Sequence, residues 1–145
     1  MYFVDREKIE ATLHYLENLI NLFRGQKNWS APLELIALER LCQMMLEAVL
    51  DVGNAMIDGF IMRDPGSYED IIDILIDEKV ITAETGTRFK ILIQYRKMLV
   101  HDYIEIDHRE LQAQFSQYLP ELEGFSANVR DYLINELGPV SAFKN

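Results

Sequence analysis

Residues 96–103 read RKMLVHDY, and they set Arg96, His101 and Tyr103 beside the apolar Met98, Leu99 and Val100. These are the side chains most useful for handling phosphate. A guanidinium pairs with oxyanions, an imidazole exchanges a proton near neutral pH, and a phenol donates a hydrogen bond or stacks. The octapeptide closes a longer basic window, TGTRFKILIQYRKMLVH, which lacks any acidic residue and carries Arg88, Lys90, Arg96, Lys97 and His101. A solvated helix face would account for such a window just as well.

At about 100° per residue, Phe89, Leu92, Ile93, Arg96, Val100 and Tyr103 share one stripe of a helix, while Lys90, Gln94, Lys97 and His101 share another. Periodicity therefore assigns Arg96 to the interior. Burying an unpartnered guanidinium costs several kcal/mol, so Arg96 must face a carboxylate, a subunit interface or a wet cleft. The carboxylates on offer from the second helix are Glu39, Glu47 and Asp51. His101 lies roughly 140° around the same helix from Arg96. Either the helix ends near His101 or a second copy of the segment completes the site.

The elements that must carry these residues are helical. Ile9, Leu13, Leu16, Ile20 and Phe23 follow helical spacing after Asp5, a good N-cap, and Gly25 is a natural stop. Ser30 with Pro32 opens a second helix, whose apolar period from Leu35 to Met56 continues to the RDPG break and bends near Gly53. SYED at 67–70 resembles a capping box for a short third helix, Thr82 caps the fourth, and Asp107 caps a fifth that Pro120 interrupts or restarts before Gly138-Pro139. No hairpin pattern or internal repeat is present. The expectation is one all-α domain over residues 1–145, a bundle of about five helices with Leu16, Leu41, Met45, Leu75, Leu92 and Leu99 in its core.

Composition sets the outer limits. A chain of 145 residues with 49% hydrophobic content supports one domain with a real core. No apolar run approaches the roughly 18 residues of a membrane span, and MYFVDREKIE turns acidic too early for a signal peptide, so a cytoplasmic location is expected. Cys42 is the only cysteine, and neither CxxC nor HExxH occurs, so no metal site is expected. The net charge of −10 argues against unspecific capture of nucleic acid by a generally positive surface.

Arg96, four intervening residues, His101, one more, then Tyr103 resembles the R-x(4)-H-x-Y motif of HEPN domains. MLVHDY followed by IEIDHREL, with SYEDIIDILIDEKVIT ahead of the motif helix, resembles the HepT-like branch over nearly the whole chain. The residue after the arginine is commonly Asn in that branch and is Lys97 here. The resemblance implies an antiparallel HEPN bundle and a metal-independent ribonuclease toxin of a type VII toxin–antitoxin module. It further implies a homodimer in which Arg96 and His101 of both copies meet in one cleft, with no cofactor of the chain's own. The implied partner is an MNT-type nucleotidyltransferase that binds Mg²⁺ and ATP and transfers AMP to Tyr103, or neutralises the toxin by binding.

That chemistry is sound in elementary terms. RNA is cut without metal when its 2′-hydroxyl attacks the adjacent phosphate, which calls for a base of near-neutral pKa and a cation on the developing charge. His101 suits the first role and Arg96 the second, with Lys90 and Lys97 positioning the RNA backbone and Tyr103 orienting a phosphate or stacking a base. A different class of function fits the same residues. In a non-catalytic dimeric module they would hold a nucleotide, a protein or the subunit interface, and an acidic exterior suits a basic protein partner as well as RNA.

Overall fold

The computed structural model describes residues 4–137, and all of its regular elements there are helices: α1 (Arg6–Gly25), α2 (Pro32–Gly59), α3 (Tyr68–Asp77), α4 (Ala83–Ile93), α5 (Tyr95–Val100), α6 (His108–Gln117) and α7 (Leu119–Leu137). The expected all-α bundle is what forms, with seven helical segments where about five were expected. Two of the expected helices are each divided. The motif helix breaks its hydrogen-bond ladder at Gln94, whose φ of −60° and ψ of −26° keep it right-handed, so α5 continues the direction of α4. The last helix restarts at Leu119, with Pro120 in its first turn, where a missing N–H costs nothing. The Gly138-Pro139 stop lies outside the described residues.

Most caps are local and match the sequence. Side-chain oxygens of Asp5, Ser67, Thr82 and Asp107 each accept the backbone N–H three residues on, at 3.0–3.1 Å. Two expectations are corrected. α2 is capped at Ala31 rather than Ser30, because the Glu34 carboxylate reaches back to both N–H groups, at 2.8 Å from Ala31 and 3.1 Å from Ser30. Asp70 does not complete a capping box at Ser67; it accepts the Gly66 N–H at 2.8 Å and a two-pronged pair from Arg63 at 2.8 and 2.9 Å.

A short connection turns α2 back along α1, and α2 then contacts α3, α5 and α6 while α7 packs on α1, α4 and α6. Leu16, Met45, Leu75 and Leu92 are wholly buried and Leu99 nearly so, whereas Leu41 is only partly covered at the edge. Phe89 and Phe125 meet edge to face at 5.6 Å and tie α4 to α7. Gly53 lies within an unbroken helix. It is a point of close approach, since a Cβ there would lie 2.7 Å from Ile71 Cγ2. Gly86 on α4 does the same on the other side, against Ile76. The two glycines let α3 sit tightly between α2 and α4, and that seat determines what α3 holds against the motif segment.

Candidate functional site

Arg96 is the second residue of α5, and three helices hold it. Its Nε donates to Glu47 Oε1 of α2 at 2.8 Å, and its Cζ stands 4.3 Å from the centre of the Tyr68 ring at the start of α3. The side chain is 20% exposed, and its two Nη nitrogens have no hydrogen-bond partner among the described residues. Of the three carboxylates expected to compete for it, Glu47 is the partner. Glu39 instead meets His108 Nε2 at 2.6 Å, and the Asp51 carboxyl is pushed above its ordinary range by burial and by the neighbouring charge of Glu47.

His101 follows α5 directly, its N–H donating to the Lys97 carbonyl at 2.8 Å while its side chain is exposed. The helix thus ends just before His101, whose backbone is still right-handed, with φ of −110° and ψ of −41°. Arg96, Lys97 and His101 line one open cleft of about 510 Å³ with Ile93 and Gln94 on one side and Ser67, Tyr68 and Glu69 on the other. Neither Lys97 nor His101 has an ion-pair partner among the described residues.

Two other sequence candidates stand elsewhere. The Lys90 ammonium pairs with Asp73 of α3, and Lys90 does not line the cleft. Tyr103 was expected to return to the Arg96 side, and as an alternative to pack in the core. It is not in the core and does not line the cleft, because the helix stops at Val100 and the chain turns, leaving Tyr103 63% exposed. Arg88 spends its charge on Glu84 and Glu121. The basic window therefore delivers less free positive charge than its composition suggests.

Tyr68 and Glu69 are the cleft residues that sequence reasoning missed. Their segment was read as a helix cap and as part of the family resemblance but not as a site, and a signal existed in an aromatic placed on the first, exposed turn of α3. No group of three or more His, Cys, Asp or Glu side chains among the described residues is arranged to hold a metal ion. No helix among them is long and apolar enough to cross a membrane.

Comparison with known proteins bears on this geometry. The chain is 51% identical over 144 residues to the protein of Bacillus subtilis (strain 168) named "Putative RNase YutE", covering 99% of this chain and 100% of that one. The solved structure of YutE, described as a cytosolic protein of unknown function, superposes with a TM-score of 0.95 over 99% of this chain and 100% of that chain. Two more distant structures share the fold. A toxin–antitoxin with AMP-PNP matches at 18% identity and a TM-score of 0.74, over 83% of this chain and 96% of that one. The tri-AMPylated HEPN toxin of Shewanella oneidensis, in complex with its MNT antitoxin, matches at 21% identity and 0.72, over 86% and 95%. The family model described as "Ribonuclease HepT-like" matches residues 9–129, a span that holds every helix of the cleft, and the chain belongs to that HepT-like ribonuclease family.

Proposed function

We propose that this protein cuts RNA in the cleft between α3 and α5 by attack of a 2′-hydroxyl on the adjacent phosphate, without a metal ion. The observation that carries the reading is that Arg96, Lys97 and His101 line one cleft and that the Arg96 Nη nitrogens remain unused. The 2′-oxygen bonds to phosphorus as the P–O5′ bond breaks. His101 takes the 2′-hydroxyl proton, and a second imidazole, from a second copy of the chain, protonates the leaving 5′-oxygen. Arg96 stabilises the extra negative charge on the phosphorane, and Lys97 holds a flanking phosphate. The products are a cyclic phosphate, or its hydrolysis product, and a 5′-hydroxyl. This requirement for two imidazoles is the chemical reason for a homodimer with facing clefts, which would also gather the free cations of two acidic chains into one groove.

We read the protein further as the toxin of a toxin–antitoxin pair whose partner is an MNT-type nucleotidyltransferase. Its distant structural relative is a tri-AMPylated HEPN toxin bound to such an antitoxin, and Tyr103 is an exposed phenol two residues beyond His101. AMP on that hydroxyl would add a negative charge and bulk close along the chain to His101. Purified wild type and His101→Ala incubated with RNA in EDTA test the reaction. Cleavage by wild type alone, leaving cyclic phosphate ends, is expected, and loss of cleavage in EDTA overturns metal independence. Intact mass after co-expression with a nucleotidyltransferase tests the modification, and neutralisation without an adduct on Tyr103 leaves tight binding as the mechanism.

The Arg96–Glu47 pair and Glu69 in the lining favour a second reading, a non-catalytic nucleotide- or protein-binding module, because both acids lower the cleft's attraction for polyanions. Binding of a mononucleotide without any RNA cleavage identifies that case.

A further inference from the structure

Arg96 is held on two sides by unlike contacts. Glu47 takes Nε in the plane of the guanidinium, at 2.8 Å, while the Tyr68 ring lies 4.3 Å from Cζ. One hydrogen bond alone leaves a guanidinium free to swing about it; an aromatic ring beside Cζ restricts that swing. The ring itself contributes little to the core, being 47% exposed on the first turn of α3. Its backbone is set by other means: the Ser67 cap, the Arg63–Asp70 pair and the close seat at Gly53 and Gly86. A half-exposed aromatic on a firmly seated turn thus lies against the cleft arginine.

We infer that Tyr68 is a positioning residue for the proposed cleavage, its ring orienting the Arg96 guanidinium so that the Nη nitrogens meet the phosphate; the inference rests on the ribonuclease reading of this same cleft. The interaction uses the ring and not the hydroxyl, for which the cleft geometry provides no role.

The test compares wild type, Tyr68→Phe and Tyr68→Leu on a short single-stranded RNA oligonucleotide, with thermal unfolding to confirm that each folds. Tyr68→Leu should lose about tenfold in kcat with KM changed by less than about twofold, and Tyr68→Phe should match wild type. The Arg96 Nε–H proton resonance, shifted by the ring current in wild type and Tyr68→Phe, should move in Tyr68→Leu. Equal rates for Tyr68→Leu and wild type overturn the inference, as does equal damage from Phe and Leu. A rise confined to KM also overturns it, since the ring would then be gripping RNA directly. A wild type that cleaves no RNA overturns the functional reading itself, and the inference with it, which separates that failure from the others.

Discussion

Arg96 and Arg130 are two arginines of similar enclosure and opposite satisfaction. On α7, Arg130 donates from Nε and Nη2 to Glu10 at 2.8 and 3.0 Å and from Nη1 to Glu17 at 2.9 Å, so all three nitrogens are engaged. Those bonds hold both carboxyls below their ordinary range and the guanidinium above its own. Arg96 engages one nitrogen, although its side chain is the less exposed of the two, at 20% against 29%. An arginine that serves only to join helices can be saturated, as Arg130 is, because each unmet donor in a poorly solvated place costs free energy. Donors left unmet beside a cleft are the capacity to bind an anion.

Substitution should separate the two most sharply. Arg96→Ala and His101→Ala are each expected to lower RNA cleavage by about 10²–10⁴-fold. The exposed His101 should leave the unfolding midpoint almost unmoved, while Arg96→Ala, which strips Glu47 of one hydrogen bond, should cost about 1 kcal/mol, less than the loss of the three-nitrogen Arg130 network. Comparable loss of both activity and stability would erase the distinction. Arg130→Ala should do the reverse, costing about 1–3 kcal/mol in urea unfolding while the folded protein cleaves normally.

The difference between wild type and Arg130→Ala should also depend on pH. Glu10 and Glu17 have folded pKa values below their ordinary 4.5, so their pairing stabilises the fold above about that pH and the gain is lost as pH falls through the depressed values. Unfolding curves for the two proteins should therefore converge in acid, and a gap that widens there would refute the assignment. The smallest effect is local to the cleft arginine's partner. Glu47→Gln should lower the Asp51 carboxyl pKa only part of the way toward 3.8, because burial, the larger cause, remains. Side-chain carbonyl NMR titration reads this directly.

Much of the site was legible in RKMLVHDY. Arg96 stands on the apolar stripe, and the cost of burying it already demanded a carboxylate, an interface or a wet cleft; Glu47 was one of three acids placed to answer. Choosing among them needed the axial shift between α2 and α5, which no local pattern encodes. Tyr103 failed as a cleft residue for a related reason. Seven residues return a side chain to the same face only while the helix continues, and this one ends at Val100. Lys90 and Arg88 looked like free cations because their partners, Asp73 and Glu121, belong to other helices.

What the amino-acid order determined by itself is local or periodic: the helical class, the caps at Asp5, Ser67, Thr82 and Asp107, the restart at Pro120, and the spacing of Arg96 and His101 on one segment. These follow from interactions within a few residues, where chain geometry leaves little choice. The tertiary structure alone decided that α3 would be drawn in between Gly53 and Gly86, and so that Tyr68 would come to lie against Arg96. That contact joins residues 28 positions apart. It exists because two missing side chains let one helix pack closely against two others, a fact about volumes in three dimensions that no periodicity along the chain can express.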